Sequence, residues 1–225
     1  MTGTLSDIVT TLFGDSTQTV DIVILLTILT LLPSILLMLT GFTRILIVLS
    51  FVRNALGMQQ TPPNQVIIGL ALFLTFFVMN PVLDRIYNEA YTPFVDGKIA
   101  QEEFIEKAME PTRDFMFEQC AKSDMNFFLG LAGEEHLDDE STVDSISNSV
   151  LIPAFITSEI KQAFLIGFMI YIPFIVIDMI VASTLMAMGM MMLPPAMISL
   201  PFKVLLFVMV DGWQLIIGSL VQTFY

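Results

Sequence analysis

Long apolar blocks without charge constrain this 225-residue chain more than any other feature of its sequence. No Asp, Glu, Lys, Arg or His side chain occurs in residues 22–43, 54–83, 162–177, 179–202 or 204–210. Only 14% of all residues are charged, whereas a soluble domain carries about 25%. Apolar stretches of this kind are typical of membrane helices. The sequence therefore predicts an all-α, membrane-associated protein with about four hydrophobic helices, at 22–39 (extended through 45–52), 66–79, 163–188 and 202–224.

Prolines inside or beside these blocks predict that the helices are kinked. Pro173 lies within the third block, where it removes a backbone donor and clashes with the preceding turn. The second block is short, since 14 residues at about 1.5 Å each reach roughly 21 Å, against a hydrocarbon core of about 30 Å. Short and kinked helices are costly in lipid unless protein or water satisfies the freed backbone groups. This pattern favours helices that pack mainly against other subunits, with an ordinary four-helix membrane protein as the alternative.

Almost all of the net charge lies in one segment between the second and third blocks. The formal charge is −13, and residues 82–160 carry seventeen acidic and five basic side chains. Within it, residues 100–121 are expected to form an amphipathic helix, and the acidic, Gly/Ser/Thr-rich stretch 130–149 a mobile loop. The acidic balance argues against nucleic-acid binding, which needs a basic surface.

These features divide the chain into four segments. They are an N-terminal segment (1–20), a first hydrophobic hairpin (21–81), the acidic insert (82–151) and a second hydrophobic hairpin (152–225). Arg44 and Arg53 lie between the first two blocks, and Lys203 lies beside the last turn. The bias of basic residues toward the cytoplasm predicts Arg44 and Arg53 as cytoplasmic-side anchors, with the insert and both termini on the periplasmic face. The first twenty residues show no basic leader with a compact apolar run, so no secretory signal is recognised there.

Methionines cluster between the third and fourth blocks. Met190, Met191 and Met192 are consecutive, with Gly189 before them and Pro194 and Pro195 after them, which predicts a turn. Methionine is unbranched and polarizable and packs around irregular shapes. Projected into a pore by several subunits, these side chains would form a gasket that seals the closed channel. The alternative is that they fill an ordinary core, and their place at a turn favours the gasket.

Four ionisable residues lie inside or at the edge of apolar blocks: Glu159, Asp178, Lys203 and Asp211. Asp178 precedes Met190 by twelve residues and Lys203 follows Met191 by twelve, so a chain that turns at the Met run brings both to one depth. They would pair within the hairpin or between neighbouring subunits. An ion or proton relay is the alternative, but the chain's one histidine, His136, is remote from them in sequence, so a structural ion pair is favoured.

Motifs for enzymatic chemistry are absent from the sequence. One cysteine, Cys120, and one histidine give no Cys/His zinc site and little scope for a catalytic triad. There is no phosphate-binding Gly-rich loop, no HExxH motif and no Gly-x-Ser-x-Gly elbow. The sequence therefore predicts a protein that is not an enzyme and that carries no metal or other cofactor.

Several long motifs resemble those of the FliP family of flagellar type III export-gate proteins. In the first half they are FTRILIVLS (42–50), RNALG (53–57), QQTPPNQV (59–66) and GLALFLTFF (69–77). In the second half they are SEIK (158–161), AF (163–164), GF (167–168), IPF (172–174), MGMMMLPP (188–195), SLPFK (199–203) and DGW (211–213). The resemblance covers residues 22–80 and 152–225, and injectisome homologues share much of it.

This resemblance implies a non-catalytic pore subunit that passes unfolded flagellar proteins across the inner membrane. Several copies, expected to be five, would wind with FliQ and FliR into a helical pore, joined by FlhB and the FlhA ring. Much of that assembly, part of the flagellar basal body, would lie at the periplasmic face. The resemblance assigns the gasket to Met190–192 and subunit contacts to Glu159, Asp178 and Lys203, and it implies a precursor with a cleaved signal peptide. An injectisome gate subunit or a small ion or proton transporter using Asp178, Lys203 and Asp211 are the alternatives.

Overall fold

The structure is a computed structural model that describes residues 18–58, 60–134, 136–137, 142–190 and 192–225. These residues form helices and turns, with no strand among them, so the predicted all-α class is confirmed. Residues 1–17 of the predicted N-terminal segment lie outside the described residues, as do parts of the predicted acidic loop (135 and 138–141).

The α-helices of the described residues are α1 (Gln18–Leu39), α2 (Phe42–Ala55), α3 (Asn64–Ile86), α4 (Thr92–Val95), α5 (Gln101–Gln119), α6 (Lys122–Ala132), α7 (Asn148–Ala187), α8 (Pro195–Met209) and α9 (Gly212–Gln222). A π-helical turn, Tyr87–Tyr91, joins α3 to α4, and a 3₁₀ turn, Val143–Ser145, precedes α7. The predicted amphipathic helix over 100–121 is therefore present as α5. Helical structure also enters both ends of the predicted loop over 130–149.

Two helical segments of the described residues are long and apolar enough to cross a membrane. They are Asn64–Val95, which combines α3, the π-helical turn and α4, and Asn148–Ala187, which is α7. Helices α8 and α9 would add a third if the bent pair counts as one broken span. Both long segments continue through internal prolines, Pro81 in the first and Pro173 in the second.

The second apolar block was predicted too short. Block 66–79 ends before Asn80 and Pro81, but the helix begins at Asn64 and runs without a break to Ile86. A proline inside a helix removes one backbone hydrogen bond and need not end the helix. Together with the π-helical turn and α4, the segment has 32 residues.

The fourth apolar block is broken into two helices. Helix α8 ends at Met209, α9 begins at Gly212, and their axes are bent by 64°. Between them Asp211 adopts a left-handed conformation, with φ of 49°. Aspartate is one of the few side chains that tolerate this region, because its short polar group bonds locally.

Helix α2 lies at the centre of the fold and packs most extensively against α7, and also against α3. Ile45, Val48 and Leu49 of α2 have no exposed surface, nor do Leu151 and Phe155 of α7. The two helices approach closely where Gly167 meets Phe51: a Cβ added to this glycine would lie 2.6 Å from the Phe51 ring. Any larger residue at 167 would force α2 and α7 apart.

The acidic insert packs against the beginning of α7. Helices α5 and α6 both contact α7, and Met116 and Met125 contribute buried side chains. Arg113 of α5 donates hydrogen bonds of 2.7 Å to the carbonyls of Val143 and Ile146, which fixes the segment that leads into α7. The insert therefore shares its core with α7, which crosses the predicted boundary at 151 and 152 without a break.

Candidate functional site

The Met turn, residues 188–194, joins the two arms of the second hairpin. It lies between the end of α7 at Ala187 and the start of α8 at Pro195. Gly189 has a φ of 73°, which L side chains rarely adopt, and the Met190 N–H bonds to the Leu185 carbonyl at 3.0 Å. The pattern of glycine before and proline after the methionines therefore predicted the turn correctly.

The described methionine side chains of this turn are exposed on the surface of the chain. Met188 is 62% exposed and Met192 is 98% exposed, while Met190 is exposed to a lesser degree. Met191 lies outside the described residues. Large apolar side chains without contacts inside their own chain are typical of surfaces that meet a partner or lipid. Within this chain, the described methionines of the turn are not core residues.

The hairpin below the Met turn contains the ion pair that the sequence spacing indicated. Lys203 on α8 is almost completely buried, and its Nζ donates to Asp178 Oδ2 on α7 at 2.6 Å and to the Ala55 carbonyl at 3.1 Å. Ser199 Oγ donates to Asp178 Oδ1 at 2.6 Å. The pair forms within one chain, and it ties the end of α2 to α7 and α8.

Asp211 lies apart from this pair. It is exposed at the break between α8 and α9 and makes no ion pair with any described residue. No ion pair or hydrogen bond joins Asp211 to Lys203 in the described part of the chain. The four ionisable residues selected from the sequence therefore do not form one cluster.

A second ion pair, between Arg44 on α2 and Glu159 on α7, is completely buried. Arg44 Nη2 donates to Glu159 Oε1, and Nε donates to Oε2 at 3.1 Å, in the two-pronged geometry that strengthens such pairs. Arg44 also donates to the Thr223 carbonyl at 3.2 Å and to Gln119 Oε1 at 3.2 Å. Its guanidinium carbon lies 4.1 Å from the centre of the Phe224 ring.

This arrangement corrects the assignment of Arg44 as a cytoplasmic-side anchor. An anchoring arginine extends its guanidinium toward headgroups and water, whereas Arg44 has no exposed surface and connects α2 to α7, to the insert and to the end of α9. The signal that predicts such a pair is a lone arginine and a lone glutamate in apolar helices, because a buried charge requires a partner.

Arg53, the second predicted anchor, lies in the last turn of α2. It is partly exposed, and Nη1 donates to the Pro62 carbonyl at 3.4 Å and to Asn64 Oδ1. Its position at a surface is compatible with the predicted anchor, although which side of a membrane it faces stays a prediction.

The described residues offer little for catalysis. They contain no group of three or more His, Cys, Asp or Glu side chains that could hold a metal ion. Cys120 lies at the junction of α5 and α6. Burial, together with the carboxylates of Asp124 and Glu159, raises the pKa of its thiol to about 12. A thiol with such a pKa is a poor nucleophile near neutral pH, because the thiolate is the reactive form.

Comparison with known proteins decides the family. The model of the FliP family matches residues 25–220, a range that includes the Met turn and both ion pairs. The chain belongs to the FliP family. The match also spans the acidic insert, so the FliP resemblance extends further than residues 22–80 and 152–225, to which the sequence analysis confined it.

Individual members of the FliP family are similar over most of the chain. The flagellar biosynthetic protein FliP of Pectobacterium carotovorum subsp. carotovorum is 56% identical over 209 residues, which are 93% of this chain and 80% of that protein. The flagellar biosynthetic protein FliP of Bacillus subtilis (strain 168) is 54% identical over 207 residues, 92% of each chain. That of Aquifex aeolicus (strain VF5) is 46% identical over 211 residues, 94% of this chain and 88% of that protein.

Proposed function

We propose that this chain is a pore-forming subunit of the flagellar type III export gate and passes unfolded flagellar proteins across the inner membrane. The similar relatives are flagellar biosynthetic proteins, which supports the flagellar role over that of an injectisome subunit. Apolar helices long enough to span a membrane support a location in or against the inner membrane, in the flagellar basal body and toward its periplasmic face.

The observation that carries this proposal is the exposure of the Met turn. At the tip of the hairpin Met192 is 98% exposed, so its side chain contributes little to the stability of its own chain. The flexible thioethers of the turn adapt to irregular surfaces, so a ring of such turns closes around a narrow space and yields when cargo enters. Met190, Met191 and Met192 are thus the gasket of the closed channel, in an assembly of several copies around one axis.

The faces of α3 and α7 support assembly with further subunits. Phe73 and Phe77 on α3, and Phe168 and Met169 on α7, are more than half exposed. Contiguous apolar surface of this kind meets lipid or protein. We assign it to contacts with sister copies in a pentamer, with FliQ and FliR, with FlhB and FlhA, and with membrane lipid.

A small ion or proton transporter is less well supported. Lys203 bonds both to Asp178 and to the end of α2, which suits a fixed structural tie between three helices better than a relay. Asp211, the third residue of the relay hypothesis, is remote from that tie. A transporter would carry selective flux alone in liposomes, whereas a gate subunit requires the larger assembly.

The gasket is tested by replacing Met190, Met191 and Met192 with alanine in the assembled gate. Removing three flexible side chains from each subunit opens the constriction, so the resting ion conductance of reconstituted complexes is expected to rise several-fold. Conductance is measured across planar bilayers without cargo.

The matched control replaces three other methionines, Met38, Met179 and Met209, all exposed on helices away from the turn. This variant should leave the resting conductance unchanged. If the gasket variant assembles normally and conducts no more ions than the control, the Met turn does not seal the pore.

A further inference from the structure

An apolar groove of about 480 Å³ lies between α2, α3, α8 and α9. Leu56, Val66, Leu70, Val204, Val208 and Trp213 are among its lining residues. No charged side chain lines it. The volume lies within the roughly 300–1,000 Å³ of typical small-molecule sites. An acyl chain, long, flexible and apolar, matches such a lining.

A positive charge lies at one end of this groove. Leu49, Arg53 and Leu56 are four and three residues apart on α2 and so share one helix face, and both leucines line the groove. Arg53 donates to the carbonyl of Pro62, which also lines the groove. The guanidinium therefore lies beside the groove and contributes charge to an apolar site.

The Arg53 charge is not neutralised by the described part of the chain. None of the described carboxylates pairs with it, and its Nε is buried without a hydrogen-bond partner. Asp211 lines an adjoining depression, which shares Phe207, Val208 and Trp213 with the groove, but it makes no ion pair with Arg53. An arginine in this state favours an anion with several acceptor oxygens, which phosphate provides.

The beginning of α3 adds to this positive potential. Arg53 Nη1 donates to Asn64 Oδ1, which places the guanidinium against the first turn of the helix. That turn contains no acidic residue and has no side-chain cap. Free N–H groups and the helix dipole at such an end attract anions.

We propose that the groove binds one anionic glycerophospholipid, with an acyl chain along α3 and α8 and the phosphate on Arg53. The positive charge of Arg53 beside an apolar groove favours a ligand that has both an anionic group and an apolar chain. Trp213, partly exposed at the groove, suits the headgroup level, where tryptophan is enriched in membrane proteins. This inference concerns lipid selection and holds whether or not the Met turn is a gasket.

Native mass spectrometry of the full chain in detergent tests the proposal. Palmitoyl-oleoyl phosphatidylglycerol and palmitoyl-oleoyl phosphatidylcholine are added stepwise, and the one-lipid adduct is quantified. The anionic lipid should bind about five-fold more tightly, as one basic residue contributes at an anionic surface. Arg53→Gln should abolish that preference, and Arg53→Lys should keep part of it.

Two further variants separate charge and groove. Arg85→Gln removes the same charge from the last turn of α3, where Arg85 pairs with Asp114, and should keep the preference. Val66→Trp fills the groove from an exposed position and should lower binding of both lipids with Arg53 intact. Since Val66 is exposed, this variant still folds if the Arg53 variants do not.

Several results would overturn the proposal. Equal binding of the two lipids, an unchanged preference in Arg53→Gln, or equal losses in Arg53→Gln and Arg85→Gln would exclude Arg53 as the selective group. Full binding by Val66→Trp would exclude the groove. Lipid bound by the isolated chain but absent from the purified export-gate complex would mean that a partner subunit, not lipid, covers the groove.

Discussion

The two halves of α7 differ in burial, and the more apolar half is the less buried one, which is the reverse of what is expected for a helix in water. The half over residues 148–167 contains eight buried residues, whereas the half over 168–187 contains two, Phe174 and Leu185. Yet the second half is the more apolar in sequence, since the first includes Thr157, Ser158 and Glu159 among its polar residues. In water the more apolar half would be the more buried. The first half completes its core within the chain, and the second requires lipid or other subunits.

The largest expected effect is the loss of the Arg44–Glu159 pair, which holds the first half of α7 against α2. Glu159→Ala leaves the Arg44 guanidinium buried without its carboxylate, a change that costs about 3–5 kcal/mol. We expect a matching loss in the free energy of unfolding in detergent, measured by denaturant titration followed by circular dichroism.

Lys161→Ala is the control for this prediction, since it lies half a turn further along the same helix and removes a pair with Asp124 in which the lysine side chain is 62% exposed. Exposed pairs contribute about 1 kcal/mol or less. Similar losses for Glu159→Ala and Lys161→Ala would show that the buried pair does not hold the two helices together.

A second prediction compares one phenylalanine from each half of α7. Phe155 has no exposed surface and packs against Phe115, whereas Phe168 is 60% exposed. Phe155→Ala should destabilise the chain by about 3–5 kcal/mol through the cavity that it creates. Phe168→Ala should change the stability of the isolated chain by only about 0.5 kcal/mol.

In the assembled complex, Phe168→Ala should have a large effect although it hardly changes the stability of the isolated chain. If the second half packs against sister copies, Phe168→Ala lowers the yield of complex at constant expression, measured by the native mass of the detergent extract. A large loss of stability from Phe168→Ala in the isolated chain, or none from Phe155→Ala, would remove the contrast between the halves.

Features that depend on local backbone preferences or on residue spacing could be predicted from the sequence. Glycine and proline fix the Met turn by their backbone preferences, and the equal distances of Asp178 and Lys203 from that turn predict their meeting. Helix α5 was predicted from its apolar period. These inferences need only backbone geometry and a single reversal of the chain direction.

Features that depend on long-range packing were missed. Arg44 and Glu159 are 115 residues apart, and nothing between them sets a register that would bring them together. Thr223 and Phe224 contact Arg44 beyond the helix break at Asp211. That break was not predicted, because residues 202–224 were interpreted as one continuous apolar block. The length of α3 was missed because the predicted block ended before Asn80 and Pro81, through which the helix continues.

The last prediction concerns Cys120, beside the first half of α7. The effect on stability is the smallest of those expected, but the rate at which the Cys120 thiol is labelled should change clearly. Its surroundings raise the pKa of the thiol to about 12, chiefly by burial and then through Asp124 and Glu159. Three pH units above the ordinary value of 9.0 mean a roughly thousand-fold lower thiolate fraction at neutral pH. Labelling of the native chain with N-ethylmaleimide at pH 7.5 should therefore be at least about a hundred-fold slower than that of the denatured chain.

The same pKa shift has a defined effect on stability. The folded state keeps the thiol proton where the unfolded state loses it, so stability is unaffected below about pH 9 and falls as the pH rises toward about 12. Ser123→Cys in a Cys120→Ala background places a thiol at an exposed position one turn away on α6 and should label at the ordinary rate. Equal rates for Cys120 and this control would mean that the insert does not shield the thiol, and that the first half of α7 is packed less tightly than its buried residues indicate.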